Sequence, residues 1–154
     1  MLFLLFQLGN DHYALDAGQI VAVLPLVDIK KIPQAPLGTA GIFNYRGTPV
    51  PVIDLNELTI GQPAQLRLST RLILVNYPDE NDVPRLLGLI AEKATETLRS
   101  EAANFTPAGV SDDKTPYLGP VITDPRGLIQ WIKVKQLLPA TVRDRLFREA
   151  LPNR

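Results

Sequence analysis

A single histidine, His12, and no cysteine occur in 154 residues, so the usual pairings of nucleophile and base have little to draw on. Thiol nucleophiles, disulfides and cysteine-based zinc sites are excluded outright. His12 stands beside a turn with Asp11 and Asp16 near it in sequence. No further residue converges on it to make a base or a metal ligand, and it reads as a turn histidine. Ser69, Ser100 and Ser111 fall in connecting segments, and none occupies the G-x-S-x-G elbow that exposes a catalytic serine. The run Asp79-Glu80-Asn81-Asp82 begins like a calcium loop. It lacks the glycine at the sixth position, and its twelfth residue is Ile90 instead of a bidentate glutamate. Asp112-Asp113 reads as a solvated loop tip, and Gly38-Thr39-Ala40-Gly41 has neither the lysine nor the spacing of a phosphate-cradling loop. No catalytic residue, metal site or cofactor is expected.

Recognition chemistry is concentrated instead in GIFNYRGTPVPVIDL, residues 41–55. Two apolar runs flank Arg46-Gly47, as in a tight hairpin where glycine supplies a positive φ. Arg46 brings five N–H donors, suited to an interface or to a buried brace between halves of the fold. Gly41 and Gly47 serve either a backbone need or the close approach of another chain. Asn44 and Asp54 are short polar residues beside turns, placed to satisfy backbone groups. Pro49 and Pro51, two apart, turn their donor-less nitrogens to one side, which suits a strand edge and not a sheet centre.

The elements that must position these residues are short. Fourteen prolines and ten glycines cut the chain into strand-sized pieces. Phe3–Leu8 and Tyr13–Leu15 flank Gly9-Asn10-Asp11 as a hairpin. Asp16 can cap a short helix in which Ile20, Val23 and Leu24 share a face, until Pro25 opposes it. A proline-rich connector, residues 30–38, leads to the 41–55 hairpin; Asn56–Ile60 reads as one helical turn stopped by Gly61. Leu72–Tyr77 and Leu86–Ala91 form strands around a polar turn, with 92–98 continuing or curling away. Residues 99–119 form a long polar loop of the kind that carries function. Val121-Ile122 and Leu128–Val134 flank the turn TDPRG. From Pro139 to Leu151 the spacing is helical, with Val142, Leu146, Phe147, Ala150 and Leu151 on one side and Arg143, Asp144, Arg145, Arg148 and Glu149 on the other. Such a helix packs on its own domain or is offered to a partner groove. The fold class is all-β, two barrel-like halves of one unit over 1–138 with a helical tail over 139–154.

Sixteen basic residues balance sixteen acidic ones, and 45% of the chain is hydrophobic. This fits a packed globular domain and argues against nucleic acid as a partner, which calls for a basic face. Residues 1–8 lack the basic start and cleavage site of a signal peptide, and no apolar run approaches the roughly 20 residues of a membrane span. Direct membrane insertion is not expected, and a cytoplasmic location is. The rival reading is a small SH3- or OB-like barrel binding single-stranded nucleic acid through stacked aromatics, but aromatics make up only 6% of the chain.

Gly41, Asn44, Arg46, Gly47, Val50, Pro51, Val52, Asp54 and Leu55 together resemble the G-x-x-N-x-R-G-x-x-x-P-V-x-D-L signature of the CheW coupling proteins. FQLGNDHYALD, IVAVLPL, RLILV with LLGLIAEKATETL, and YLGPVITDPRGLIQWIKVKQLL are similar to that family's other segments, in order, so the resemblance covers roughly residues 3–138. It implies two five-stranded SH3-like β-barrels sharing a hydrophobic interface, without catalysis or cofactor. It implies as partners the regulatory domain of a CheA-type histidine kinase and the cytoplasmic tip of methyl-accepting chemoreceptors, with recruitment to membrane-associated receptor arrays. Carried over by position, receptor-linked residues fall on Ile20, Gly41 and Arg46, with Gly47 beside them; for Ile20 core packing is the competing reading. Three departures stand out: Ala22 where an acid that can pair with the arginine is common, Asn56 where arginine is common, and Tyr45 where leucine is usual. Arg46 then needs another partner, either Asp54 or a carboxylate on a binding protein.

Overall fold

The computed structural model describes residues 1–79, 81–109 and 113–150. Glu80, Ser111, Asp112 and Leu151, named above, lie outside the described residues, as do the side chains of Arg148, Glu149 and Ala150. Among the described residues nine strands form two five-stranded sheets that share one long strand. β3 (Ile20–Pro25), β6 (Arg71–Asn76), β7 (Leu86–Arg99), β5 (Thr48–Asp54) and β4 (Thr39–Tyr45) make the first, in that order. β7, β1 (Leu2–Leu8), β2 (Asp11–Asp16), β9 (Gly127–Ile132) and β8 (Leu118–Asp124) make the second. Both sheets follow one pattern: two antiparallel pairings, one parallel, one antiparallel.

Three apolar clusters explain the sequence pattern. The first sheet encloses Phe43, Val50, Val52, Leu72, Leu74 and Ile90, and the second encloses Phe3, Leu5, Ala14, Phe105, Ile129 and Trp131. Each sheet curls, so that its two edges line one interior: Ala22 and Leu24 of β3 meet the cluster that holds Phe43 of β4. Between the sheets lies a joint core with Phe6, Leu8, Ile73, Val75, Leu87 and Leu89. Successive strand side chains point to opposite faces. β1 and β6 therefore serve the joint core with one face and a sheet interior with the other. This is why MLFLLFQL is apolar almost throughout: a strand buried on both faces reads as a continuous hydrophobic run.

Lys93 pivots the shared strand. Its φ is 51°, and opposite it β1 advances two residues, Leu5 to Gln7, while β7 advances four, Glu96 to Glu92. The surplus residues form a bulge that turns β7 from one sheet into the other. Residues 92–98 thus continue the strand. The expected helix over Ile20–Leu24 is corrected: Asp16 caps only a short 3-10 turn, Ala17–Gln19, by accepting from Gly18 N at 2.9 Å, and β3 follows at once. Alternation wins over helical spacing there, with Ile20, Ala22 and Leu24 facing inward and Val21, Val23 and Pro25 outward.

The first part of the loop after β7, through Thr106, is tied down. Phe105 is buried, and Thr106 exchanges backbone hydrogen bonds with Val121 at 2.8 Å. α1 (Leu55–Ile60) ends on Gly61 in the left-handed conformation at φ 78°. α2 (Ala140–Ala150) packs Leu146 and Phe147 into the joint core, its Phe147 ring 6.0 Å from that of Tyr77.

Candidate interaction surface

β4 and β5 form a two-residue hairpin whose central residues, Arg46 at φ 51° and Gly47 at φ 87°, both sit at positive φ. That geometry matches strand twist and favours glycine at the second position. Asn44 Oδ1 accepts from Gly47 N at 2.7 Å and closes the turn. Arg46 is exposed, its guanidinium 5.2 Å from the centre of the Tyr45 ring. Tyrosine in place of leucine thus gives the cation an aromatic face to lie against. Among the described residues no carboxylate forms an ion pair with Arg46. The buried-brace reading is corrected by this exposure.

Asp54 is not its partner either. At the far end of β5, Asp54 caps α1, accepting from Asn56 N at 3.0 Å and Glu57 N at 3.2 Å through one oxygen and from Ala64 N at 2.9 Å through the other. Pro51 is buried opposite Ile42, and Pro49 lies opposite Asn44. β7 pairs with β5 only from Val52 onward, so both prolines turn their nitrogens to an unpaired edge.

Gly41 is buried, and its glycine is dictated by the chain itself. Its φ is 144°, and a Cβ there would stand 2.1 Å from Lys30 O. Lys30 and Ile42 exchange backbone hydrogen bonds at 2.8 Å across the same spot. Gly47, in contrast, has nothing within 4 Å of an added Cβ. Ile20 is half-buried against the joint core and opens β3, the other edge strand of the sheet. The structure therefore brings Arg46, Gly47 and Asn44 together, sets Gly41 beneath them, and places Ile20 on a different strand.

Beside the hairpin lies an open groove of about 370 Å³ lined by Lys30, Ile42, Phe43, Asn44, Gly47 and Pro49. Lys30 was not among the expected site residues. Its place depends on the connector folding back over Gly41, a contact with no signal at short range. The second sheet carries the equivalent hairpin with Arg126-Gly127, but there Arg126 pairs with Asp124 and reaches Glu96 at 3.5 Å. The hydrogen bond from Arg126, with its backbone N–H and charge, holds the Asp124 carboxyl below the usual range. One hairpin cation is compensated; the other forms no ion pair among the described residues. Among the described residues no group of three or more histidine, aspartate or glutamate side chains can hold a metal, and no helix is long and apolar enough to cross a membrane.

Two curled sheets thus share one strand, and a cationic hairpin stands beside an apolar groove. Comparison with known proteins gives the family. Residues 2–142 match the CheW-like domain, and the chain belongs to that family. It is 27% identical over 106 residues to the chemotaxis protein CheW of Klebsiella aerogenes, covering 69% of this chain but only 61% of that relative. Against the CheW of Bacillus subtilis it is 22% identical over 137 residues, 88% of this chain and 85% of the relative. Its fold is similar to the crystal structure of the scaffolding protein TtCheW from Thermoanaerobacter tengcongensis, with a TM-score of 0.79 and 25% identity, covering 92% of this chain and 89% of the other.

Proposed function

We propose that this chain is a non-catalytic cytoplasmic scaffold that couples chemoreceptors to a CheA-type histidine kinase, in chemotaxis or in a surface-sensing, pilus or biofilm pathway. Residues 1–138 carry the coupling surfaces, and the amphipathic helix α2 packs on them through Leu146 and Phe147. The observation that carries the reading is Arg46: an exposed cation, without an ion pair among the described residues, on a braced hairpin beside an apolar groove, in a chain of the CheW-like family. A rigid tip gives geometry-dependent contact with little ordering cost, and transient interfaces of this kind bury less than about 1,200 Å². The receptor tip is the partner assigned to this hairpin, and its carboxylates replace the acid that Ala22 does not supply.

Titration of a purified receptor cytoplasmic fragment by calorimetry tests this. Arg46→Glu is expected to weaken binding at least about tenfold, roughly 1.4 kcal/mol, with an unchanged melting temperature because the side chain is exposed. Equal affinity of both proteins for the fragment removes Arg46 from the contact. Recovery of neither kinase nor receptor in a pull-down from the source cell rejects the coupling role.

A further inference from the structure

Lys93 does more than bend the shared strand. Successive side chains of a regular strand face opposite sides, yet Glu92 and Lys93 both line one hollow of about 210 Å³. The positive φ of Lys93 and the surplus residues of the bulge make this possible, since a bulge re-aims side chains. The hollow lies where the end of β1 and the Gly9-Asn10 turn meet α1 and the segment that follows it.

Its wall is held in place. The Thr70 hydroxyl, on a residue 1% exposed, donates to Gln65 O at 2.6 Å and accepts from Arg67 N at 3.2 Å. Ala94 N donates to Ser69 O at 3.1 Å and ties that segment to the bulge. Arg67 Nη2 donates to the Gln65 side chain, which orients the guanidinium and leaves further N–H donors for use. Asn56 is the group left over. It lines the hollow from α1 and is 5% exposed, and its Oδ1 has no hydrogen-bond partner among the described residues. An unpaired buried amide is costly, and a ligand that bonds to it removes that cost.

Charge defines the ligand. Arg67, Lys93 and Glu92 are the charged residues of this wall, and none forms an ion pair among the described residues. A metal ion meets two cations there, and a simple anion such as phosphate meets Glu92. Complementarity calls for two negative groups and one positive group on the same molecule. The volume is below the roughly 300–1,000 Å³ of sites for drug-sized molecules, so the ligand is small. We propose that the hollow binds a free acidic α-amino acid, aspartate or glutamate. Its carboxylates lie against Arg67 and Lys93, and its ammonium donates to the Glu92 carboxylate and the Asn56 amide oxygen.

Calorimetry of the full chain with L-aspartate and L-glutamate tests it. At least one is expected to bind saturably, one per chain. Succinate, which lacks the ammonium, and L-alanine, which lacks the second carboxylate, bind at least tenfold more weakly. Glu92→Gln is expected to weaken amino-acid binding at least tenfold while leaving succinate no weaker, and Arg67→Gln to weaken both. Asn56→Ala abolishes the rise in melting temperature that saturating amino acid gives the wild type, whatever its effect on the unliganded chain. Absence of saturable binding by either amino acid overturns the inference. So does succinate bound as tightly, or affinity untouched by Glu92→Gln and Arg67→Gln.

Discussion

At the scale of single residues, Asp54 contributes most for its size. Its carboxylate, on a residue 6% exposed, takes three backbone N–H groups and so joins the start of α1 to Ala64 in the segment between α1 and β6. Removing a helix cap costs about 1 kcal/mol, and orphaning a buried donor costs about 1–3 kcal/mol. Asp54→Ala is therefore expected to destabilise the chain by about 2–4 kcal/mol in urea unfolding, with faster amide exchange at Ala64; a shift within experimental error contradicts the cap. The role of Asp54 as a backbone acceptor was legible in the sequence, since a short acid before a helical turn has few other uses. The status of Arg46 was not. Exposure or burial at a hairpin tip depends on which strands flank it, and strand order is set by contacts far apart in the chain.

Among the elements, β7 decides whether the two sheets hold together, and Lys93 is its pivot. A left-handed backbone at a lysine is strained, and a β-branched residue there is strained further. Lys93→Gly is expected to stabilise the chain by about 0.5–1 kcal/mol, and Lys93→Val to destabilise it by more than that. Equal melting temperatures for the two variants would mean the bulge bears no strain. The hydrophobic run before it announced a strand, but the bulge left no mark, because lysine is not a turn residue. β3 was misread for a related reason: over six residues, apolar positions 20, 23 and 24 satisfy a helical face, while burial at 20, 22 and 24 satisfies a strand. Only the partner β6 settles which period counts.

For the molecule as a whole, the joint core holds Tyr13, Tyr77 and Tyr117, and burial pushes the hydroxyl of each above the ordinary value. In each case the fold favours the protonated form, so its stability is intact below about pH 10 and declines as pH rises through the raised values. Alkaline titration followed by Trp131 fluorescence is expected to show cooperative unfolding above pH 10; tyrosines that ionise there with the fold intact contradict their burial. The all-β class and hairpin order were visible in the turn residues, whereas the matching of the two sheets is a property of pairing that no repeat of residues records. The prolines of β5 have a last consequence. A strand flank left without a partner can seed fibres by strand addition. Pro49 and Pro51 withhold the donors that an incoming strand needs on that flank.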